Sequence, residues 1–555
     1  MKHRFFTFHI ALFTCLATMA QLDNTVEVTN EVKPVVTDVK KVDVKTKQAE
    51  TKVTHHSMQY AVEGQTLNNY APEYLGDYES EAVKKGNKKG YVHLGGGSHG
   101  NIDGLVTYQF DLTDNDALRI DFSLKGFNGK TKDSRYFEAK DWKSRDYHNR
   151  SAVNYIHRFD NGLTLFAQEG YENRLFNYRG GAGTTDKQHD VMCNALVGFA
   201  PFQVNDFTLS ASVGVDFFGQ RYKTNLGKNL KETTYKADAD LSYRLAEDHN
   251  LGLGVGFFGS TFSNDELKGI GRFRFTPHYI YETELMKWQL GIFVSTKGNV
   301  APDVTFTYHI NPVSDFYAAA RGYERDNDMR RLSNIHPYFT LNVPKGPYAN
   351  NRLNMNAEFH QVDVRAGYRF KPIQGFGGHL NLGYDISKNA PDLYWITNSL
   401  DGRDFPLMNF SKEKRFYINA DFTYAYTDIV KVEAKHQLNF TSRKEQSDEK
   451  WRSGSSITPL FDMNWTLNVK LLKDLYFDVD WQYATFKEAN LGVVPSQYDR
   501  PNTANLGAGL RYTLPIDLPL TIFAKGDNLL NKKYDRYFGY RNIGANFLAG
   551  FALSF

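Results

Sequence analysis

From about Gly90 to Phe555 the chain alternates apolar and polar residues with a period of two, in segments of about ten residues, and sustains no 3.6-residue periodicity. Leu118, Ile120, Phe122 and Leu124 share one face of such a segment; Arg119, Asp121, Ser123 and Lys125 share the other. Farther on, Phe416, Ile418, Ala420, Phe422, Tyr424 and Tyr426 oppose Tyr417, Asn419, Asp421 and Thr423. Leu475, Phe477, Val479, Trp481 and Tyr483 likewise oppose Tyr476, Asp478, Asp480 and Gln482. Successive side chains of a strand point to opposite sides, so each segment predicts a strand with one apolar and one charged face.

A soluble β-sandwich alternates in the same way, and three features separate the chain from it. The pattern runs over about 450 residues without a break, whereas a sandwich domain is about 100 residues long. Aromatic residues sit at the ends of apolar faces, as Tyr424 and Tyr426 do, where an interfacial girdle lies. The connections also alternate between short and long. Short turns fall at Asp114-Asn115-Asp116, Asp160-Asn161-Gly162, Asn205-Asp206, 247–250, 284–287, 311–314, 372–375, Thr427-Asp428, Lys473-Asp474 and 515–517. Longer polar connections fall at 129–147, 224–231, 325–352, 387–410, 443–456, 488–502 and 528–541. Short periplasmic turns alternating with longer extracellular loops mark an outer-membrane barrel. The predicted fold is an all-β transmembrane protein, a large antiparallel up-and-down barrel of about 22 strands, the size of plugged outer-membrane transporters.

Composition agrees. The mean hydropathy is −0.52, yet aromatics make up 15% of the chain, as expected of strands that show lipid only at every second residue. Met1-Lys2-His3-Arg4, the apolar run from Phe5 and Ala17-Thr18-Met19-Ala20 read as a secretory signal peptide over 1–20. Residues 21–89 read as an extended arm without a core pattern, in the periplasm or the lumen, ahead of a barrel over 90–555. The expected location is therefore the outer membrane of a Gram-negative bacterium. With Cys15 in the signal, Cys193 is alone and forms no internal disulfide. A net charge of +3 without a basic patch does not suggest nucleic acid.

The chain end carries a family resemblance. Ala545, Phe547, Ala549, Phe551, Leu553 and Phe555 form an unbroken apolar face that ends on an aromatic. Such a strand is similar to the signal read by the outer-membrane barrel assembly machinery. Ahead of it, Asp527-Asn528-Leu529-Leu530-Asn531-Lys532-Lys533-Tyr534 and Gly539-Tyr540 resemble the last hairpin of TonB-dependent receptors. Arg541-Asn542-Ile543-Gly544 stands where that family usually has a Pro-Gly-Arg element. The resemblance implies a barrel of the receptor type, but 21–89 is too short for the family's plug domain. Asp23-Asn24-Thr25-Val26-Glu27-Val28-Thr29 faintly resembles a TonB box, with Asp23, Thr25, Val26, Val28 and Thr29 as its candidate residues. Such a box binds by strand addition.

Chemical motifs are sparse. Neighbouring His55-His56 point opposite ways in an extended arm and have no carboxylate cluster beside them. Gly95-Gly96-Gly97-Ser98-His99-Gly100 lacks the Lys-Ser/Thr of a phosphate loop and reads as a tight hairpin connection. Asp114-Asn115-Asp116 lacks the Gly and distal Glu of a calcium loop. No catalytic constellation, cofactor motif or metal set emerges. Arg119, Asp121, Lys431, Glu433, Lys435, Asp478 and Asp480 are expected on the lumen wall with mixed signs. Two functions stay open. One is passage of a polar solute, with the arm or an inward-folded loop such as 325–352 narrowing the lumen. The other is a scaffold subunit of an assembly, secretion or surface-lipoprotein complex, with periplasmic or surface lipoproteins as partners beside the outer-membrane lipid.

Overall fold

Strands that are apolar on one side and polar on the other need two different surroundings, and a sheet closed on itself provides them. The computed structural model describes residues 89–132, 141–177, 187–221, 230–263, 267–341, 353–373, 375–397, 404–444, 450–487 and 500–555. Each barrel strand pairs antiparallel with the next in sequence. The first, Gly90–Gly97, pairs with the last, Asn546–Ser554, from Tyr91↔Ser554 to Gly97↔Leu548. Twenty-two strands close the ring, and the short strands Thr340–Leu341 and Arg452–Ser453 attach to its rim. Among the described residues no helix is long and apolar enough to cross a membrane.

Parity along each strand separates the two faces. Val213, Leu382 and Phe547 are 55%, 53% and 57% exposed, an exposure that repeats on the outward face of strand after strand and fits a lipid solvent. Exposed outward aromatics form two levels. Phe110, Phe207, Tyr308 and Tyr368 lie toward the short turns; Tyr171, Phe273, Tyr384 and Phe440 lie higher. Tyr243 and Tyr235 share one strand, Tyr424 and Phe416 another, and in each pair the residues are eight positions apart (243 − 235; 424 − 416). At about 3.3 Å per residue and the usual strand tilt, that separates the levels by about 20 Å, close to the apolar band of an outer-membrane barrel.

All ten short turns fall where the alternation breaks, and Asn205, Thr427 and Asp474 supply positive φ in three of them. At the other end the strands run farther than the alternation indicates. Phe376–Thr397 and Asp404–Tyr426 are 22 and 23 residues long and stay paired through Thr397↔Asp404, so most of 387–410 is sheet and not loop. In the same way, Asp116–Lys132 and Asp141–Arg158 extend into the stretch 129–147. Above the apolar belt the outer face turns polar, so the two-residue contrast fades although the backbone ladder continues. Gly95-Gly96-Gly97 ends the first strand, and Ser98–Gly100 forms the tight turn to Ile102–Asp111.

The seam depends on a missing side chain. Gly550 sits opposite Gly95 on one side and Phe523 on the other. A Cβ there would come 2.0 Å from the Leu94 carbonyl oxygen and 2.6 Å from the Phe523 ring, which itself stacks on His93 with centroids 4.5 Å apart. A backbone oxygen cannot move aside as a side chain does. Gly550→Leu is therefore expected to cost more than the usual overpacking penalty of about 1–3 kcal/mol and to reduce the fast-migrating folded band on unheated gels. Phe547→Leu, on the outward face of the same strand, should leave that band intact.

Candidate gate in the lumen

After the strand Ser314–Arg325 the chain turns inward. Residues 326–341 cross the barrel at the long-loop end around one short helix, Met329–Ile335. Asp328 starts it as the N-cap, its carboxylate accepting from the Arg331 amide at 2.8 Å. Met329, Leu332 and Ile335 recur every third residue and form its buried face, with Met329 and Leu332 fully enclosed. This face packs with Phe176, Met192, Phe218 and Leu230, from four successive strands of one wall. Across the lumen the same cluster takes in Leu393, Met408 and Ile457, and it continues into Tyr537, Phe538 and Tyr540. The segment thus bridges opposite sides of the ring.

Polar contacts fix it in register. The Met329 amide donates to Glu232 at 2.6 Å, and Ser333 donates to Asp190 at 2.9 Å. Arg330 pairs with Glu172 at 3.2 Å and Arg331 with Glu358. Asp328 lies 3.7 Å from Lys236, while Asp326 pairs with both Arg272 and Arg274. The Asn327 amide donates to the carbonyls of Asn356 and Asn389 at 2.8 and 3.0 Å. Burial pushes the Asp328 carboxyl up from its usual range against the pull of Lys236.

A second element meets the first. Asn528 has positive φ, and its side chain brackets the loop, accepting from the Lys532 amide at 3.0 Å and donating to the Lys532 carbonyl at 2.9 Å. Asn542 donates to that same carbonyl at 3.0 Å. The stretch that resembles a receptor's last hairpin therefore aims the small hairpin Asp535–Tyr537/Tyr540–Arg541 at the helix. Tyr338 and Tyr540 stack with centroids 3.7 Å apart. Arg174, held by two hydrogen bonds to Asp146 at 3.0 and 2.7 Å, donates to the Tyr537 hydroxyl at 2.6 Å. His336 sits edge-on to Tyr338, Tyr537 and Tyr540 and donates from Nε2 to the Phe538 carbonyl at 2.9 Å. Burial, helped by the charges of Arg500 and Arg174, holds His336 down to about 3, so the ring is neutral.

The expected lumen charges lie elsewhere. Arg119 and Asp121 pair at 2.9 Å on the face opposite Ile120 and Phe122, and Asp121 accepts from Thr107 at 2.6 Å. Lys431 and Glu433 pair at 2.9 Å, and Lys435 shares their parity opposite Asp421. Asp478 takes Arg511 at 2.8 and 3.1 Å, and Asp480 shares its face opposite Thr466. All belong to the halves of their strands nearer the short turns, away from the helix. In the last strand Phe547, Phe551 and Leu553 face outward, while Phe555 closes it through backbone bonds to Gly90. Asp23, Thr25, Val26, Val28, Thr29 and His55-His56 lie outside the described residues. No grouping of His, Cys, Asp and Glu among the described residues fits a metal ion.

Solved structures share this architecture. The FrpB iron transporter from Neisseria meningitidis superposes with a TM-score of 0.65 at 10% identity, over 86% of this chain and 82% of its own. The ferric-catecholate import receptor Fiu from E. coli K12 gives 0.60 at 11% identity, over 85% and 82%. The copper transporter OprC gives 0.59 at 13% identity, over 84% and 80%. The fold is that of these transport barrels. No family model matches the sequence, and no curated protein matches it.

The residues that grip the helix, among them Glu172, Asp190, Glu232, Arg272 and Glu358, were not singled out in the sequence. The available signal was Asp328 ahead of Met329, Leu332 and Ile335, a capped one-sided helix within a loop already suspected of folding inward. Its acid sensitivity is testable. His336 has an exposed value of 6.5 and a docked value of about 3. Between those values the released segment binds a proton that the docked one refuses, so docking weakens as pH falls through that window. Asp328, raised by burial, acts in the opposite sense, so the comparison must isolate the histidine. Hydrogen exchange at the Leu332 and His336 amides should accelerate more in the wild type than in His336→Gln as pH falls below 6.5, by up to about tenfold per pH unit after correction for intrinsic exchange.

Proposed function

We propose that this barrel lies in the outer membrane with its short turns in the periplasm and passes a polar solute through its lumen, with residues 326–341 as the gate. The observation that carries this reading is the way the segment is held. It spans the lumen from wall to wall, and beside its apolar packing on Phe176, Met192, Phe218 and Leu230 it is held by ion pairs and hydrogen bonds to strand side chains such as Glu172, Asp190, Glu232 and Glu358. Those wall groups and the displaced segment can both be solvated when water enters, so opening exchanges partners without stranding a charge in hydrocarbon. Beneath the gate, Arg119, Asp121, Lys431, Glu433, Lys435, Asp478 and Asp480 line a wettable path of mixed charge for a hydrophilic solute. The likeness to the FrpB, Fiu and OprC barrels supports uptake as the direction. In this reading the segment from Asp23 to Thr29 offers TonB an added strand from the periplasmic side, and the barrel assembly machinery reads the terminal strand.

One observation favours a second reading. Met329, Leu332 and Phe339 have no exposed surface at all, as in a permanently sealed core. A sealed barrel would serve as a scaffold for lipoprotein or secretion partners. Osmotic swelling of proteoliposomes separates the two readings. With small sugars and amino acids as solutes, Met329→Asp combined with Leu332→Asp should swell at least about tenfold faster than the wild type, the unblocked lumen of a barrel this size being wide. No solute flux from the variant, with the barrel still folded by gel mobility, would reject passage and leave the scaffold.

A further inference from the structure

On the outside of the barrel, just beyond the apolar belt, two neighbouring strands carry lysines that have no ion-pair partner among the described residues. From Ser411 to Tyr426 and along Val430–Lys444 the even-numbered side chains face outward, as the exposure of Phe416, Ile418, Tyr424 and Phe440 demonstrates. The same parity turns Lys412, Lys414 and Lys444 outward. Phe416 lies opposite Phe440, their rings stacked with centroids 6.2 Å apart. Lys414 lies opposite Ser442, and Lys412 lies directly opposite Lys444. The three lysines thus stand one and two outward positions beyond the aromatic pair, about 7 and 13 Å along the strands. Trp451, 39% exposed, lies against the Lys414 ammonium, which is 4.4 Å from its ring centroid.

Among the described residues, the nearby carboxylates are committed elsewhere. Asp392 and Glu413 are buried and pair with Arg443, which is also buried. Among the described residues Lys412, Lys414 and Lys444 have no ion-pair partner. Like charges directly across a strand pair are destabilising. Two lysines held so become favourable when one anion accepts from both. At this height the candidate anion is membranous. Lysines at the edge of an apolar surface reach lipid phosphates, and tryptophan favours the same interface. A soluble anion would use the ammonium groups but leave the Phe416–Phe440 floor uncovered, whereas a lipid satisfies both.

We propose that Lys412, Lys414 and Lys444, with Trp451, bind the phosphorylated headgroup of an anionic lipid in the leaflet on the long-loop side, its acyl chains lying on Phe416 and Phe440. The assignment of that leaflet rests on the orientation given above. The test uses the full chain in phosphatidylcholine nanodiscs, with bisphosphorylated lipid A and the same lipid stripped of phosphate as probes, and bound lipid counted by native mass spectrometry. The wild type should retain the phosphorylated form in preference to the stripped one. Lys412→Glu with Lys444→Glu should weaken retention by about fivefold per lysine lost or more, and Lys412→Arg with Lys444→Arg should restore it. Lys473→Glu, in a short turn at the opposite end, should leave retention unchanged, and inorganic phosphate should not displace the lipid. Equal retention of the two lipids, equal retention by wild type and the glutamate variant, or displacement by inorganic phosphate would each overturn the proposal. In intact cells, an impermeant maleimide should label a cysteine placed at Leu529 in a Cys193→Ser background. Failure there would overturn the orientation and its leaflet, separately from the lipid result.

Discussion

A chain that crosses a bilayer must satisfy its own backbone, because the hydrocarbon core offers no water to unpaired amides and carbonyls. In a sheet that demand is met only when the last strand bonds to the first. Here the joint is the pairing of Gly90–Gly97 with Asn546–Ser554, finished by the reciprocal bonds between Gly90 and Phe555. It tolerates little bulk: Gly95 and Gly550 face one another across it, and the Phe523 ring occupies the space they leave. The outward apolar face, the inward polar face and the two aromatic levels follow once the ring is closed.

Closure at this circumference creates a second problem, since the interior of a barrel so large is too wide for its own inward side chains to fill. The chain answers with residues 326–341 and the hairpin at 535–541, which meet near the axis through Tyr338, Tyr540 and His336. They meet each other through aromatic rings, and the wall holds the helix both by apolar packing on Phe176, Met192, Phe218 and Leu230 and by ion pairs. The ionic part follows from the barrel itself, whose inner wall is largely polar because its other face is given to lipid. An apolar plug alone would take a donor from each of Glu172, Asp190 and Glu232, leaving Glu172 with His148 alone, and a buried group left unsatisfied costs more than an ordinary hydrogen bond is worth. The helix supplies a donor to each of them.

How much of this was legible depends on which periodicity carried it. The barrel was legible because alternation recurs in every strand: Leu118 to Leu124 or Leu475 to Tyr483 already separates lipid from lumen. The turns were legible because Asn205 and Asp474 stand where a tight hairpin needs positive φ. The upper halves of the strands were not, since around Pro391 and Pro406 the outer face loses its apolar signal while the ladder persists. The gate was half legible. Its loop was identified by length, but a helix of seven residues offers barely two turns of pattern, and its partners lie 97 and 143 positions away in the chain. Pairings such as Met329 with Glu232 are decided by the curvature of the ring, which no local window records.

The central claim, that residues 326–341 sit inside the lumen and are pinned to its wall, is tested most directly by distance. Ser333 and Asp190 meet at 2.9 Å. With cysteines at both positions and Cys193→Ser as background, a short methanethiosulfonate crosslinker applied to the folded barrel should join them in nearly every molecule. A pair of cysteines at Ser333 and Thr107, on a distant part of the wall, should not join. Absence of the first crosslink in a barrel that is folded by gel mobility, or equal yields for both pairs, would contradict the account.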